Sequence, residues 1–474
     1  MELLIRNPRT GALDYAIDPL DAGAIAALAS DLRTRQRHWA ALSPHQRAKM
    51  LQALGAAIAQ HAGAIGTALT IDTGRRAISY IEVEGTARTF DRWASLAPDL
   101  IASATGEARP SATPGVTVST RLVPYPLVGV ISPWNFPLTL ALIDAIPALA
   151  AGCAVIVKPS EVTPRFIRPL MAAIAEVPEV PLVVIEGDGA TGAALVNAVD
   201  YIAFTGSVAT GRKVSAAAAA AFIPASLELG GKDPMIVLAS ADPAWAAQVA
   251  LRASIVNTGQ ACQSIERVYV ARQIAEPFLS ALVAGAQAVR LNAEDIGSGE
   301  IGPFIFVRQA EIVQAQIDDA VAKGATVLAG GTVEIVGGGH YLRPTVLIGV
   351  TPDMAIMAEE TFGPVIPVTV FDTIDQAVGL ANGGVFGLSA AVLARSPEEA
   401  EAVAIRLNAG AISINDGSLT AMVWDAEKSS FGASGLGPSR MGDSGLLRFV
   451  RKQALLRQTG TALPIQAYAE DARR

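Results

Sequence analysis

The sequence predicts an α/β protein built on parallel sheets, and three observations carry that prediction. Short, wholly apolar runs at 127–131, 154–157, 182–185, 201–204 and 235–237 are mostly separated by stretches of helix length, as expected of strands buried on both faces. The alternation then repeats, with helices at 243–257, 310–322, 374–381 and 397–407 and strands at 267–270, 326–328, 365–371 and 388–393, so a second α/β unit is expected. The chain has 474 residues, 51% hydrophobic and 17% charged, enough to bury more than one core.

The chain opens with helices. Residues 21–60 place Ile25, Leu28, Leu32 and Trp39, then Met50, Leu51, Leu54 and Ile58 at helical spacing, and Ser43-Pro44 reads as an N-cap followed by proline at the first helical position. Residues 116–123 alternate among Pro110, Pro114 and Pro124, the pattern of an exposed strand or hairpin outside the main core, an arm able to serve a partner subunit. The apolar stretch 138–157 is about long enough to span a bilayer. Asp144, Pro147 and Gly152 interrupt it, and a helix stopping near 147–151 before a buried strand 153–157 accounts for it without lipid.

Thirty-six basic against 44 acidic residues, a net charge of −8, give no general attraction for phosphate backbones or anionic lipid. Neither nucleic acid nor membrane is expected as a partner. Two cysteines cannot frame a disulfide scaffold, and with four scattered histidines they show no metal-ligand spacing, so no metal is expected and the compartment reads as reducing. The first residues lack the basic, apolar and cleavage regions of a signal peptide, so a cytoplasmic location is expected.

A thiol is a covalent catalyst only where substrate can reach it. Cys153, in an apolar run, reads as a core residue, whereas Cys262 lies in the polar loop Asn257-Thr258-Gly259-Gln260-Ala261-Cys262, where an accessible nucleophile or an ordinary loop cysteine would both fit. Glu228, between two leucines, could be a desolvated general base or a strand-end acid paired with Lys232. Glu360 belongs to another acid–aromatic–turn cluster, Glu359-Glu360-Thr361-Phe362-Gly363-Pro364, which a solvated helix end explains equally well. Two glycine loops follow strands. Gly187-Asp188-Gly189-Ala190-Thr191-Gly192 matches a dinucleotide fingerprint but lacks the acid expected about 20 residues on. Gly206-Ser207-Val208-Ala209-Thr210-Gly211 opens a helix, the geometry that presents N–H groups to a pyrophosphate.

Taken in order, Pro133-Trp134-Asn135-Phe136-Pro137, Lys158-Pro159-Ser160-Glu161, Phe204-Thr205-Gly206-Ser207, the Glu228 segment, the Cys262 loop and the Glu360 segment resemble the NAD(P)-dependent aldehyde dehydrogenase superfamily over most of the chain. The resemblance implies a Rossmann-like NAD-binding domain at 1–109 and 125–231, an α/β catalytic domain at 232–430 and a β oligomerisation arm at 110–124 and 450–474, assembled as a homodimer or homotetramer. It assigns the nucleophile to Cys262, stabilisation of the alkoxide to the Asn135 amide with the Cys262 backbone N–H, and activation of water to Glu228. It gives Lys158 and Glu161 to the adenosine ribose, Gly206, Ser207 and Gly211 to the phosphates, Trp134 to the same wall, and Glu360 with Phe362 to the nicotinamide ribose and ring. Glu161 argues for NAD, since a carboxylate on the 2′-hydroxyl repels a 2′-phosphate, with NADP as the alternative.

The segment Gly435-Leu436-Gly437-Pro438-Ser439-Arg440-Met441-Gly442 departs from the usual family ending, and substrate choice depends on that region. Phe136, Leu140, Ile143, Ala261, Met422 and Trp424 would make an apolar tunnel with no arginine to grip a second carboxylate, so an aromatic or medium-chain aliphatic aldehyde is expected. The alternatives are a semialdehyde or coenzyme A-acylating dehydrogenase and, from another class, a non-catalytic aldehyde- or nucleotide-binding protein.

Overall fold

A computed structural model describes residues 2–470. Two mainly parallel sheets organise it. The first has six strands in the order Gly435–Leu436, Ala225–Glu228, Tyr201–Thr205, Leu127–Ile131, Ala154–Lys158 and Leu182–Val184, all parallel except the first, which runs against Leu227 and Glu228. The second has seven, Thr326–Ala329, Thr345–Ile348, Val365–Phe371, Ile265–Ala271, Asp233–Val237, Ser389–Leu393 and Ala411–Ile414, with only Thr326–Ala329 antiparallel. The central strands of both are buried along their whole length, which is why they read as unbroken apolar runs.

The stretch 138–157 folds as two short helices, Pro137–Leu142 and Ala145–Ala151, and the strand Ala154–Lys158. The second helix ends within the expected 147–151, at Ala151, and Pro147 does not interrupt it. Pro147 sits in the first turn, where a missing N–H costs nothing, and the helix is capped by Gly152, whose φ of 106° favours glycine. Asp144 stands fully buried between the helices, paired with Arg440 and Arg448. Among the described residues no single helix is long and apolar enough to cross a membrane.

The arm is a three-stranded antiparallel sheet, Val450–Gln458, Val116–Pro124 and Arg109–Pro110, registered from Val450 opposite Pro124 to Gln458 opposite Val116. Leu455 and Leu456 on its outer strand are 50% and 71% exposed. Positions 1 and 471–474 of the expected units lie outside the described residues. A helix of 30 residues, Arg76–Thr105, was not anticipated; it packs beside the helix carrying Leu138, where its Glu82 accepts from Thr139 N.

Candidate active site

The loop that carries Cys262 is fixed by its backbone. The preceding helix ends at Ile255 rather than 257, because Asn257, Thr258 and Gly259 adopt left-handed conformations with φ of 61°, 60° and 68°. A side chain on Gly259 would start 2.3 Å from the Gly363 carbonyl carbon, so only glycine fits. Asn257 Nδ2 donates to the carbonyls of Asn135 (3.1 Å) and Gln260 (2.9 Å), while Gln260 donates to Asn257 O (3.2 Å) and accepts from Ile305 N (2.9 Å). These fully buried amides offset the cost of the strained turn, and the sequence reading missed both.

Cys262 is partly exposed, whereas Cys153 is fully buried with its sulfur on Phe449 O, as its apolar surroundings predicted. Burial pushes the Cys262 thiol up to about 12; Asp233 and Glu360 act in the same direction, and Lys428 and Arg440 oppose them. The resting sulfur is therefore a neutral thiol. Asn135, 2% exposed, donates one amide N–H to Gln260 O at 3.0 Å, which orients the amide and leaves its second N–H available to the cleft that Asn135 and Cys262 both line.

Glu228 ends its strand beside Thr205 on one side and Gly435 on the other, and its Oε2 accepts from Ser430 Oγ at 3.1 Å. The alternative of a Glu228–Lys232 pair does not form. Lys232 is buried and donates to Glu266 Oε2 (2.8 Å) and Thr361 Oγ1 (2.6 Å), and Glu266 in turn accepts from the backbone N–H groups of Thr361 and Phe362, both at 2.7 Å. This hidden pair holds Phe362 at a left-handed φ of 55° and sets its ring edge-on to Trp134, 5.4 Å between centroids. The short spacing of Lys232 from Glu228 gave no sign of a partner 34 residues further on.

A cleft of about 740 Å³ opens between the sheets, lined by Trp134, Asn135, Lys158, Glu161, Gly206, Ser207, Cys262, Glu360 and Phe362. Lys158 Nζ meets Glu161 Oε2 at 3.0 Å, and Ser207 caps the helix Val208–Ala220; Ser207 and Thr210 line the cleft. Gly211 is a correction. It is off the cleft wall, and a Cβ there would lie 2.5 Å from Leu229 Cδ2, so the glycine allows the helix to pack on Leu229 rather than contacting a phosphate. In the other glycine loop the Asp188 carboxylate caps its own helix, accepting from Ala190 N and Thr191 N, the place an incoming phosphate would need. Glu360 accepts from Gly231 N at 3.2 Å, and burial, with Glu266 nearby, pushes its carboxyl up to about 8.

Two of the residues expected to line an apolar tunnel, Phe136 and Trp424, each have an arginine over their ring. Arg92 stacks on Trp424 with its guanidinium carbon 3.5 Å from the ring centroid, and Arg75 lies over Phe136 at 5.7 Å while donating to Asn135 O at 3.1 Å. Both come from the helix Arg76–Thr105 or the residue before it, far from the loops that drew attention in the sequence. Lys428 adds a third cation, its Nζ on Thr420 O at 2.6 Å, close enough for Cys262 and Glu228 to act on it. Trp424 is at the surface under Arg92 and not in the core.

Comparison with known proteins bears on this arrangement directly. The Aldehyde dehydrogenase family model matches residues 2–455. The chain is 36% identical over 440 residues, 91% of its length and 84% of the relative's, to a protein of Mycolicibacterium smegmatis named "putative succinate-semialdehyde dehydrogenase" with NADP(+). It is 35% identical over 86% of its length to betaine aldehyde dehydrogenase 1 of Rhizobium meliloti, covering 84% of that protein. The solved structure of PutA from Anabaena variabilis, itself described as a putative aldehyde dehydrogenase, superposes with a TM-score of 0.95 at 50% identity, covering 98% of this chain and 99% of that one. Lactaldehyde dehydrogenase of Escherichia coli gives 0.91 at 30% identity, over 97% and 96%. With the family model matching nearly all of its length and relatives at 36% and 50% identity covered over most of theirs, the chain belongs to the aldehyde dehydrogenase family.

Proposed function

We propose that the protein oxidises an aldehyde to its carboxylic acid with NAD(P), through a thioester on Cys262. The observation that carries this reading is one cleft lined by both Cys262 and Asn135, beside a helix N-terminus suited to phosphate. The unit built on the six-stranded sheet holds the cofactor and the seven-stranded unit carries the thiol. Lys158 and Glu161 take the adenosine ribose, Gly206 and Ser207 the pyrophosphate, and Glu360 with Trp134 and Phe362 the nicotinamide end. The cofactor, when bound, accepts a hydride. Cys262 passes its proton to solvent in the open cleft, its thiolate adds to the carbonyl carbon, and the resulting alkoxide is held by the Asn135 amide and the Cys262 N–H. After oxidation the carbon is a thioester; Glu228 takes a proton from water, hydroxide adds, and the C–S bond breaks to release the acid. Glu228 favours water over coenzyme A as acceptor. The exposed leucines of the arm fit a second copy of the chain.

For the substrate, Lys428, whose charge acts on Cys262 and Glu228, favours a short aldehyde with an anionic tail over the apolar aldehyde expected from the sequence, in keeping with the semialdehyde named for one relative. Succinate semialdehyde, benzaldehyde, hexanal and betaine aldehyde, each with NAD and NADP and with and without coenzyme A, separate the readings. The expected result is kcat/KM at least about tenfold higher for succinate semialdehyde, with Lys428→Met raising KM more for that substrate than for the uncharged aldehydes. A preference for benzaldehyde or hexanal would restore the apolar reading.

Cofactor binding also acquires a pH dependence. The Glu360 carboxyl, raised to about 8, is mostly neutral at pH 7 and ionises as the pH rises through that value. A ribose hydroxyl donating to it favours the carboxylate, so binding below about pH 8 releases a proton. NAD affinity measured by titration calorimetry should tighten by up to about tenfold per pH unit approaching pH 8 and then level off, and Glu360→Gln should flatten the curve.

A further inference from the structure

The C-terminal segment that closes over Glu228 brings a charge that the reaction scheme leaves unused. Arg440, 8% exposed, donates through Nη2 to Asp144 Oδ2 at 2.7 Å and to Thr205 Oγ1 at 2.5 Å, while Arg448 takes the other oxygen of Asp144. Two guanidiniums thus share one fully buried carboxylate, and the three groups keep one surplus positive charge away from water. Neutralising Asp144 needs only Arg448. The second arginine sits on the side of Thr205, which lines the cleft and is registered opposite Glu228 in the adjoining strand. Arg440 Nε is buried with no hydrogen-bond partner among the described residues.

We infer that Arg440, anchored by Asp144 and Thr205, is a positioning residue that sets the potential at Cys262 so that the thiolate is favoured over the thiol. This deepens the reading of Cys262 as nucleophile, and rests on it. The charges facing Cys262 are Asp233 from the strand Asp233–Val237, Glu360 from the loop before Val365–Phe371, Lys428 from the mouth loop and Arg440; those facing Arg440 are Asp144, Glu228 and Cys262. The acids act against the thiolate, and Arg440 and Lys428 act for it. Cys262 lies in an open cleft, but a guanidinium held by Asp144 and Thr205 stays in place where a mobile counterion does not, so the fixed compensating charge belongs to the protein.

The test follows alkylation of Cys262 by iodoacetamide against pH, read by mass spectrometry on the intact protein. It needs neither aldehyde nor cofactor, and fully buried Cys153 does not compete. Arg440→Gln leaves the Asp144–Arg448 pair and should slow alkylation at pH 8 by about 3- to 10-fold, with Arg440→Lys recovering most of the rate. Asp144→Asn should move the profile the other way. If the glutamine variant does not fold, Arg440→Met, which keeps the packing of the stem, takes its place. A folded, neutral variant with an unshifted profile overturns the inference. Turnover that survives Cys262→Ala would instead overturn the reaction, a result that the alkylation profile does not share.

Discussion

Replacing Cys262 by alanine is expected to abolish NAD(P)H formation with every aldehyde while cofactor binding persists. Without the thiol no adduct forms, and hydride loss from a bare carbonyl would leave an acylium-like centre. No other sulfur can stand in, because Cys153 is fully buried and hydrogen-bonded to Phe449 O. The loss should exceed about 10⁴-fold in kcat. Cys262→Ser should fare little better, since a hydroxyl in the surroundings that already push the thiol up to about 12 is harder still to ionise. Absorbance of the reduced cofactor measures the first property, and quenching of Trp134 fluorescence in the cleft measures the second. Residual turnover above about 1% would remove Cys262 from the mechanism.

Glu228→Gln should separate the two halves of the reaction. The amide keeps the size of the carboxyl and can retain the contact with Ser430 Oγ, but it cannot take a proton from water. Addition and oxidation go on, hydrolysis does not, and the acyl group stays on Cys262. Rapid-mixing experiments should show a burst of about one reduced cofactor per subunit, followed by a steady state about 10²- to 10⁴-fold below the parent enzyme. Intact mass should rise by the acyl group. Burst and steady state falling together would mean that Glu228 acts before the thioester, as the base that deprotonates Cys262.

The accessible cysteine and the sheet strands were legible in the sequence because each depends on local composition. A glycine-containing polar loop distinguishes Cys262 from Cys153, and strands buried on both faces must be apolar along their length. Partners brought together by the fold were not legible. Glu266 is nothing in sequence but a strand residue, yet it closes on Lys232 and holds Phe362 in place. Asp144 looked like an interruption of an apolar run until Arg440, 296 residues later, reached it. The arginine over Trp424 was missed for the same reason, since Arg92 lies on a helix whose exposed face carries ordinary polar residues. Gly211 failed differently. A glycine near a helix start fits both phosphate contact and close packing, and only the position of Leu229 decides.

The way the C-terminal segment reaches back has a bearing on how the molecule is made. Ser430 joins Glu228 across 202 residues, Arg448 joins Asp144 across 304, and Val450–Gln458 pairs with a strand begun at Val116. During synthesis the ribosome must therefore release nearly the whole polypeptide before the base has its hydrogen bond or the buried carboxylate its guanidiniums. Until then Asp144 is an unpaired charge in an apolar setting, which works against early consolidation of the helices around it. The nascent chain thus cannot complete a reactive thiol site ahead of its fold, and the order of translation itself delays covalent chemistry with passing aldehydes until the finished subunit exists.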